Sequence, residues 1–88
     1  MLDYPPLPSP FSLRHRIYTY LLACPFGATD EQMQRDLSLG SQTQTPRRGE
    51  LVKLGLVEDS GQTGLTQRGR TARLWQAVRR ATPDARRA

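Results

Sequence analysis

This chain has one cysteine, Cys24, and one histidine, His15, among its 88 residues. A lone thiol closes no intrachain disulfide, which fits a reducing compartment. A histidine with no cysteine or second histidine nearby makes no metal-ligand cluster. No apolar run approaches the roughly 20 residues of a membrane span. The N-terminus shows no basic region followed by an apolar stretch, so it does not read as a secretory signal. No nucleophile has a convincing histidine partner, and no Gly-rich phosphate loop occurs. The expectation is a cytoplasmic protein that is not an enzyme and uses neither cofactor nor metal, with room for one domain and one modest core.

Acidic residues are also scarce where basic ones gather. Residues 1–59 hold six Lys/Arg and seven Asp/Glu, while residues 60–88 hold seven Arg and one acid, so the net charge of +5 divides into −1 and +6. An uneven basic section points to a polyanion, usually nucleic acid. A solvated basic tail is the plainer alternative.

The first eleven residues form a proline-rich arm with Pro5, Pro6, Pro8 and Pro10. Proline removes backbone donors and favours extended chain, so residues 1–11 read as lying outside the core. A domain is expected over residues 12–81, followed by a short basic tail at 82–88. Leu13, Ile17, Tyr20, Leu21 and Cys24 recur at the spacing of one helical stripe. Ser12 is placed to cap that helix and Pro25 to end it. Thr29-Asp30-Glu31-Gln32 has the form of a capping box. Its two acids fall in a first turn, where the helix dipole favours negative charge. Met33 and Leu37 give this second helix a short apolar face. Gly40, able to take positive φ, is the expected stop, with Leu39 plugging the core.

A third helix follows through Leu51 and Leu54. Ser41, Thr43 and Thr45 are all candidate caps, and a cap at Thr43 would put Pro46 in the tolerated first turn. At about 100° per residue, Leu54, Arg47 and Gln44 fall with Leu51 on the inward side. Gln42, Thr45, Pro46, Gly49 and Lys53 fall outward, with Thr43, Arg48 and Glu50 on the flanks. The outward start is small and polar. Gln and Thr can exchange hydrogen bonds with base edges, and Arg47 and Arg48 can reach phosphates or guanine. An ordinary polar helix start is the competing reading.

Leu56-Val57-Glu58 and Leu65-Thr66 read as two short strands around a turn-rich link, Ser60 to Gly64. Leu74, Trp75, Val78 and Ala81 then suggest a last helix that Pro83 ends, with Trp75 as a core anchor. On that helix Arg70, Arg73 and Arg80 would share a face, with Arg68 at its start and Arg79 beside it. The expected class is α+β, mainly α with a small hairpin. The expected order is three helices, hairpin, fourth helix.

The series Gln42-Thr43, Pro46-Arg47-Arg48, Glu50-Leu51, Gly55-Leu56-Val57, then a hairpin and Leu65-Thr66…Gly69-Arg70, resembles MarR-like winged helix-turn-helix domains. It is most similar to small winged-helix proteins of bacteriophages and prophages, over residues 12 to 80. The resemblance implies a transcriptional or phage regulatory factor that reads double-stranded DNA with its third helix. It implies Gln42, Thr43, Thr45 and Arg48 as the recognition surface, and Leu51, Gly55, Leu56 and Val57 as structural positions. With Ser41, Arg47, Arg68, Arg70 and Arg73 from the basic pattern, these make the expected DNA-binding set. Two features depart from the family. Gln44 stands where a small or branched apolar residue is usual, and the expected hairpin tip at Ser60–Gly64 carries no Arg or Lys. A winged helix can also dock on a polymerase, replication protein or host factor, so an interaction module is the alternative. A monomer and a small homodimer both remain open.

Overall fold

A computed structural model describes residues 12–79. The proline-rich arm, Arg80, Ala81 and the basic tail lie outside the described residues. The elements are α1 (Leu13–Leu22), α2 (Asp30–Leu37), α3 (Ser41–Lys53), β1 (Val57–Leu65) and β2 (Thr71–Ala77). The architecture is α+β: three helices packed against one two-stranded antiparallel hairpin.

Ser12 caps α1, its hydroxyl accepting from the His15 amide at 3.1 Å. Of the expected α1 stripe Ile17 and Leu21 are buried and Leu13, Tyr20 and Cys24 half-buried, while Tyr18, off that stripe, is buried as well. The capping box of α2 forms as its spacing implies. Thr29 Oγ1 accepts from the Gln32 amide at 3.1 Å, and Gln32 Oε1 accepts from the Thr29 amide at 3.0 Å. The helix ends two residues earlier than Gly40 would place it. Ser38, not Gly40, takes the left-handed conformation, with φ of 57°. Gly40 instead precedes α3 in an extended conformation.

That shift changes α3. None of Ser41, Thr43 and Thr45 caps it; Gly40 occupies the cap position and supplies no side chain. Pro46 therefore lies inside the helix rather than in its first turn. A proline there removes one backbone hydrogen bond, so the Gln42 carbonyl has no amide donor four residues on. Both Gln42 and Pro46 are exposed, so that carbonyl is on the wet side.

The core consists of Ile17, Tyr18, Leu21, Ala28, Met33, Leu51, Leu56 and Val57. Burying each large apolar side chain contributes about 1.5–3 kcal/mol before chain entropy is subtracted. Leu39 packs against this cluster from the α2–α3 turn, as do Trp75 and Ala77 from β2.

The hairpin departs most from expectation. Residues 71–77 form a strand, and no fourth helix occurs among the described residues. The register runs from Val57↔Ala77 to Leu65↔Thr71. Between the pairs Asp59↔Trp75 and Thr63↔Arg73 the register shifts, so Ser60, Gly61 and Gln62 lie opposite Leu74 alone. The turn-rich link is thus a bulge within β1, and Gly61 supplies its positive φ of 83°. The tip lies six residues further on, at Thr66–Arg70, closed by Thr66 N donating to Arg70 O at 2.8 Å. Strand pairing extends beyond the hairpin. Ala28 and Trp75 exchange backbone hydrogen bonds of 2.9 and 2.8 Å, so the α1–α2 loop adds a third extended position beside β2. A helix at 71–77 would forfeit both these bonds and the ladder to β1. Tertiary pairing therefore overrides a local pattern rich in helix formers.

Candidate nucleic-acid interface

On α3 the exposed residues near the start are Ser41, Gln42, Thr45, Pro46 and Arg47, while Thr43 is half-buried. Gln44 is fully buried. A buried amide needs partners, and Gln44 has them. Its Nε2 donates to Asp30 Oδ1 at 2.9 Å and approaches Met33 Sδ at 3.5 Å. Its Oε1 accepts from Gln34 Nε2 at 2.9 Å and from the Thr45 hydroxyl at 3.1 Å. The departure from an apolar residue at position 44 is thereby explained: α2 supplies a polar socket for it.

Arg48 belongs to the same socket. Its Nε and Nη2 reach the two Asp30 oxygens at 3.0 and 2.8 Å, a bidentate pair. Its guanidinium also stacks 4.0 Å from the centre of the Trp75 ring, an arrangement favourable for a desolvated cation. The Arg48 side chain is 15% exposed. It ties α2, α3 and β2 together and is not presented to solvent as a free cation. Arg47 is exposed but pairs with Glu50 at 2.8 Å, and Arg14 approaches the other Glu50 oxygen at 3.7 Å.

The hairpin tip is different. Arg68 and Arg70 are exposed and have no acid within ion-pair distance among the described residues. The two arginines expected near the start of a helix therefore stand on a loop between strands. The expected tip lacked basic residues; the observed tip has two. Gln67, between them and Thr66, donates its amide to Glu31 Oε1 at 2.9 Å, which ties the tip to the first turn of α2. Arg73 is on β2, 69% exposed at its side chain, and pairs with Asp59 at 3.5 Å. It does not share a helical face with Arg70.

Asp30 and Glu31, neighbours in one turn, thus hold the two surfaces. Asp30 fixes Gln44 and Arg48 of α3; Glu31 fixes the tip. A cleft of about 440 Å³ lies between, lined by Asp30, Glu31, Gln34 and Arg48 on one side and Thr66, Arg73 and Trp75 on the other. The sequence signal for Asp30 and Glu31 was the capping box, which accounts for their helix but not for these longer-range bonds.

Other side chains seal the helix ends. Arg16 Nη2 donates to Leu37 O at 3.0 Å and Arg79 Nη2 to Leu22 O at 2.7 Å, each at a helix C-terminus where carbonyls need donors. Tyr20 donates to Asp36 Oδ2 at 2.5 Å. Burial, and then this hydrogen bond, push its phenol above the ordinary tyrosine range. Among the described residues there is no group of three or more His, Cys, Asp or Glu suited to a metal ion, and no helix is long and apolar enough to cross a membrane. No family model matches the chain, and neither a curated protein nor a solved structure does.

Proposed function

We propose that this protein is a small winged-helix DNA-binding protein. In this reading the start of α3 enters the major groove of duplex DNA and the hairpin is the wing. The observation that carries it is the pairing of two unlike surfaces through one turn of α2. One is an exposed helix start with Ser41, Gln42 and Thr45, whose side chains can exchange hydrogen bonds with base edges. The other is a strand-to-strand tip with two arginines that no acid among the described residues neutralises. The first suits reading, the second suits phosphate contact. A regulatory role in a bacterial cell or phage-infected host follows from the resemblance of the Gln42–Val57 series. In this assignment Arg48 and Gln44 support the helix from behind, and of the expected arginines Arg68 and Arg70 are the principal cations.

The test is a fluorescence-anisotropy titration against mixed-sequence duplex DNA at two salt concentrations. Binding at low salt that weakens steeply as salt rises supports the proposal. A folded protein that binds no duplex at low salt refutes it. That result would favour a docking module, for which Phe26 and Leu65, at 82% and 71%, are the most exposed large apolar side chains among the described residues.

A further inference from the structure

We infer that Thr45 acts on its base pair as a hydrogen-bond acceptor, and so fixes the strand on which the pair presents its major-groove amine, adenine N6 or cytosine N4. The inference rests on the DNA-binding reading above.

The argument begins behind the helix. Arg48 grips both oxygens of Asp30. An ionised carboxylate only accepts hydrogen bonds, so the Gln44 group facing Asp30 must be its NH₂. The Gln44 carbonyl oxygen is then turned the other way, toward Gln34 and Thr45. That oxygen also only accepts, so the bond between Thr45 Oγ1 and Gln44 Oε1, at 3.1 Å, must use the Thr45 proton. A threonine hydroxyl has one proton and two lone pairs. With the proton directed inward, an exposed Thr45 offers lone pairs outward.

An unconstrained threonine in a recognition helix can rotate its hydroxyl to suit either a donor or an acceptor, and so discriminates little. Here Gln44 is fully buried and its orientation is set by a charge pair, so rotation would leave its oxygen one partner short. In the major groove adenine N6 and cytosine N4 are donors, whereas guanine O6 and thymine O4 are acceptors. Thr45 therefore favours the former pair and disfavours the latter. Gln44, which never touches DNA, becomes the positioning residue for this choice.

The experiment selects binding sites from random duplexes with the full chain and with Thr45→Val, which keeps the shape and removes the oxygen. The expected result is one base pair where the wild-type protein keeps adenine or cytosine on one fixed strand and Thr45→Val accepts either orientation. All other positions should be unchanged. Replacing that adenine by purine, or that cytosine by 2-pyrimidinone, deletes the amine alone. Wild-type affinity should then fall about three- to tenfold and that of Thr45→Val should not change. Gln44→Leu, checked for folding by circular dichroism, should relax the preference at the same position by freeing the hydroxyl. If deleting the amine at the pair sensitive to Thr45→Val leaves wild-type affinity unchanged, or if no position responds to Thr45→Val, the inference fails while DNA reading stands. If no site is enriched at all, sequence-specific reading fails, and this inference with it.

Discussion

Arg47 and Arg48 in α3 and Arg68 and Arg70 at the hairpin tip are the same residue type at comparable spacing, yet they do different work. The first two have acids beside them: Glu50 takes Arg47 and Asp30 takes Arg48, the latter under the ring of Trp75. The second two stand where β1 turns into β2, with no acid in reach among the described residues. A basic residue becomes available to a polyanion only where the fold withholds its counter-charge. Of the arginines in the +6 section, Arg68 and Arg70 stand at that tip, whereas Arg73 pairs with Asp59 on the neighbouring strand.

The comparison breaks most visibly at Asp30. Asp30→Ala removes the carboxylate from Arg48 and the acceptor from Gln44 Nε2 together. Leaving a partly buried cation and a buried amide short of partners should cost about 3 kcal/mol. In a domain whose whole stability is on the order of 5 kcal/mol, urea unfolding should show a large fall in midpoint. A loss under about 1 kcal/mol would mean that Arg48 is solvated and not held.

Arg48→Lys is the next largest. It keeps the charge but loses the two-pronged contact and the flat stack on Trp75, and should cost about 1–2 kcal/mol. Trp75 is the only tryptophan, so its fluorescence should change in the same variant. An unaltered emission would separate Trp75 from Arg48. Arg68→Ala, by contrast, should leave unfolding within about 0.5 kcal/mol of wild type.

The smallest effect concerns the tether between the two regions. Glu31→Ala and Glu31→Gln both remove a negative charge, but only glutamine can still accept from the Gln67 amide. The alanine variant should bind duplex DNA about two- to fivefold more weakly than the glutamine variant, from the loss of one hydrogen bond. Equal affinities would show that the tip needs no anchoring.

Much of this arrangement is legible in the sequence, and the parts that are not share one cause. The Ser12 cap and the Thr29–Gln32 box depend on contacts three residues apart, and both appear as their spacing implies. Helical period places Gln44 inward, as found, but it also places Arg47 and Leu54 there, which are exposed, and it does not show the partners of Gln44 on α2. Residues 71–77 mislead because Ala, Arg, Leu and Gln favour helix locally, and Leu74, Trp75 and Val78 fit its period. What decides them is pairing with Val57–Leu65 and with Ala28, tens of residues away. The same distance hides the tip. Ser60–Gly64 and Thr66–Arg70 both contain turn residues, and only the register separates bulge from turn. Arg48 is missed for a related reason: a flank position on α3 does not reveal that Asp30 and Trp75 converge on it.

The most direct measurement is the salt dependence of duplex binding for wild type against Arg68→Ala/Arg70→Ala. Each phosphate contact adds about −0.9 to the slope of log affinity on log salt. The account predicts a wild-type slope of roughly −2 to −4, flattened by nearly two units in the double variant, with unfolding unchanged. Equal slopes for the two proteins would contradict it, because the tip arginines would then not be what holds the DNA.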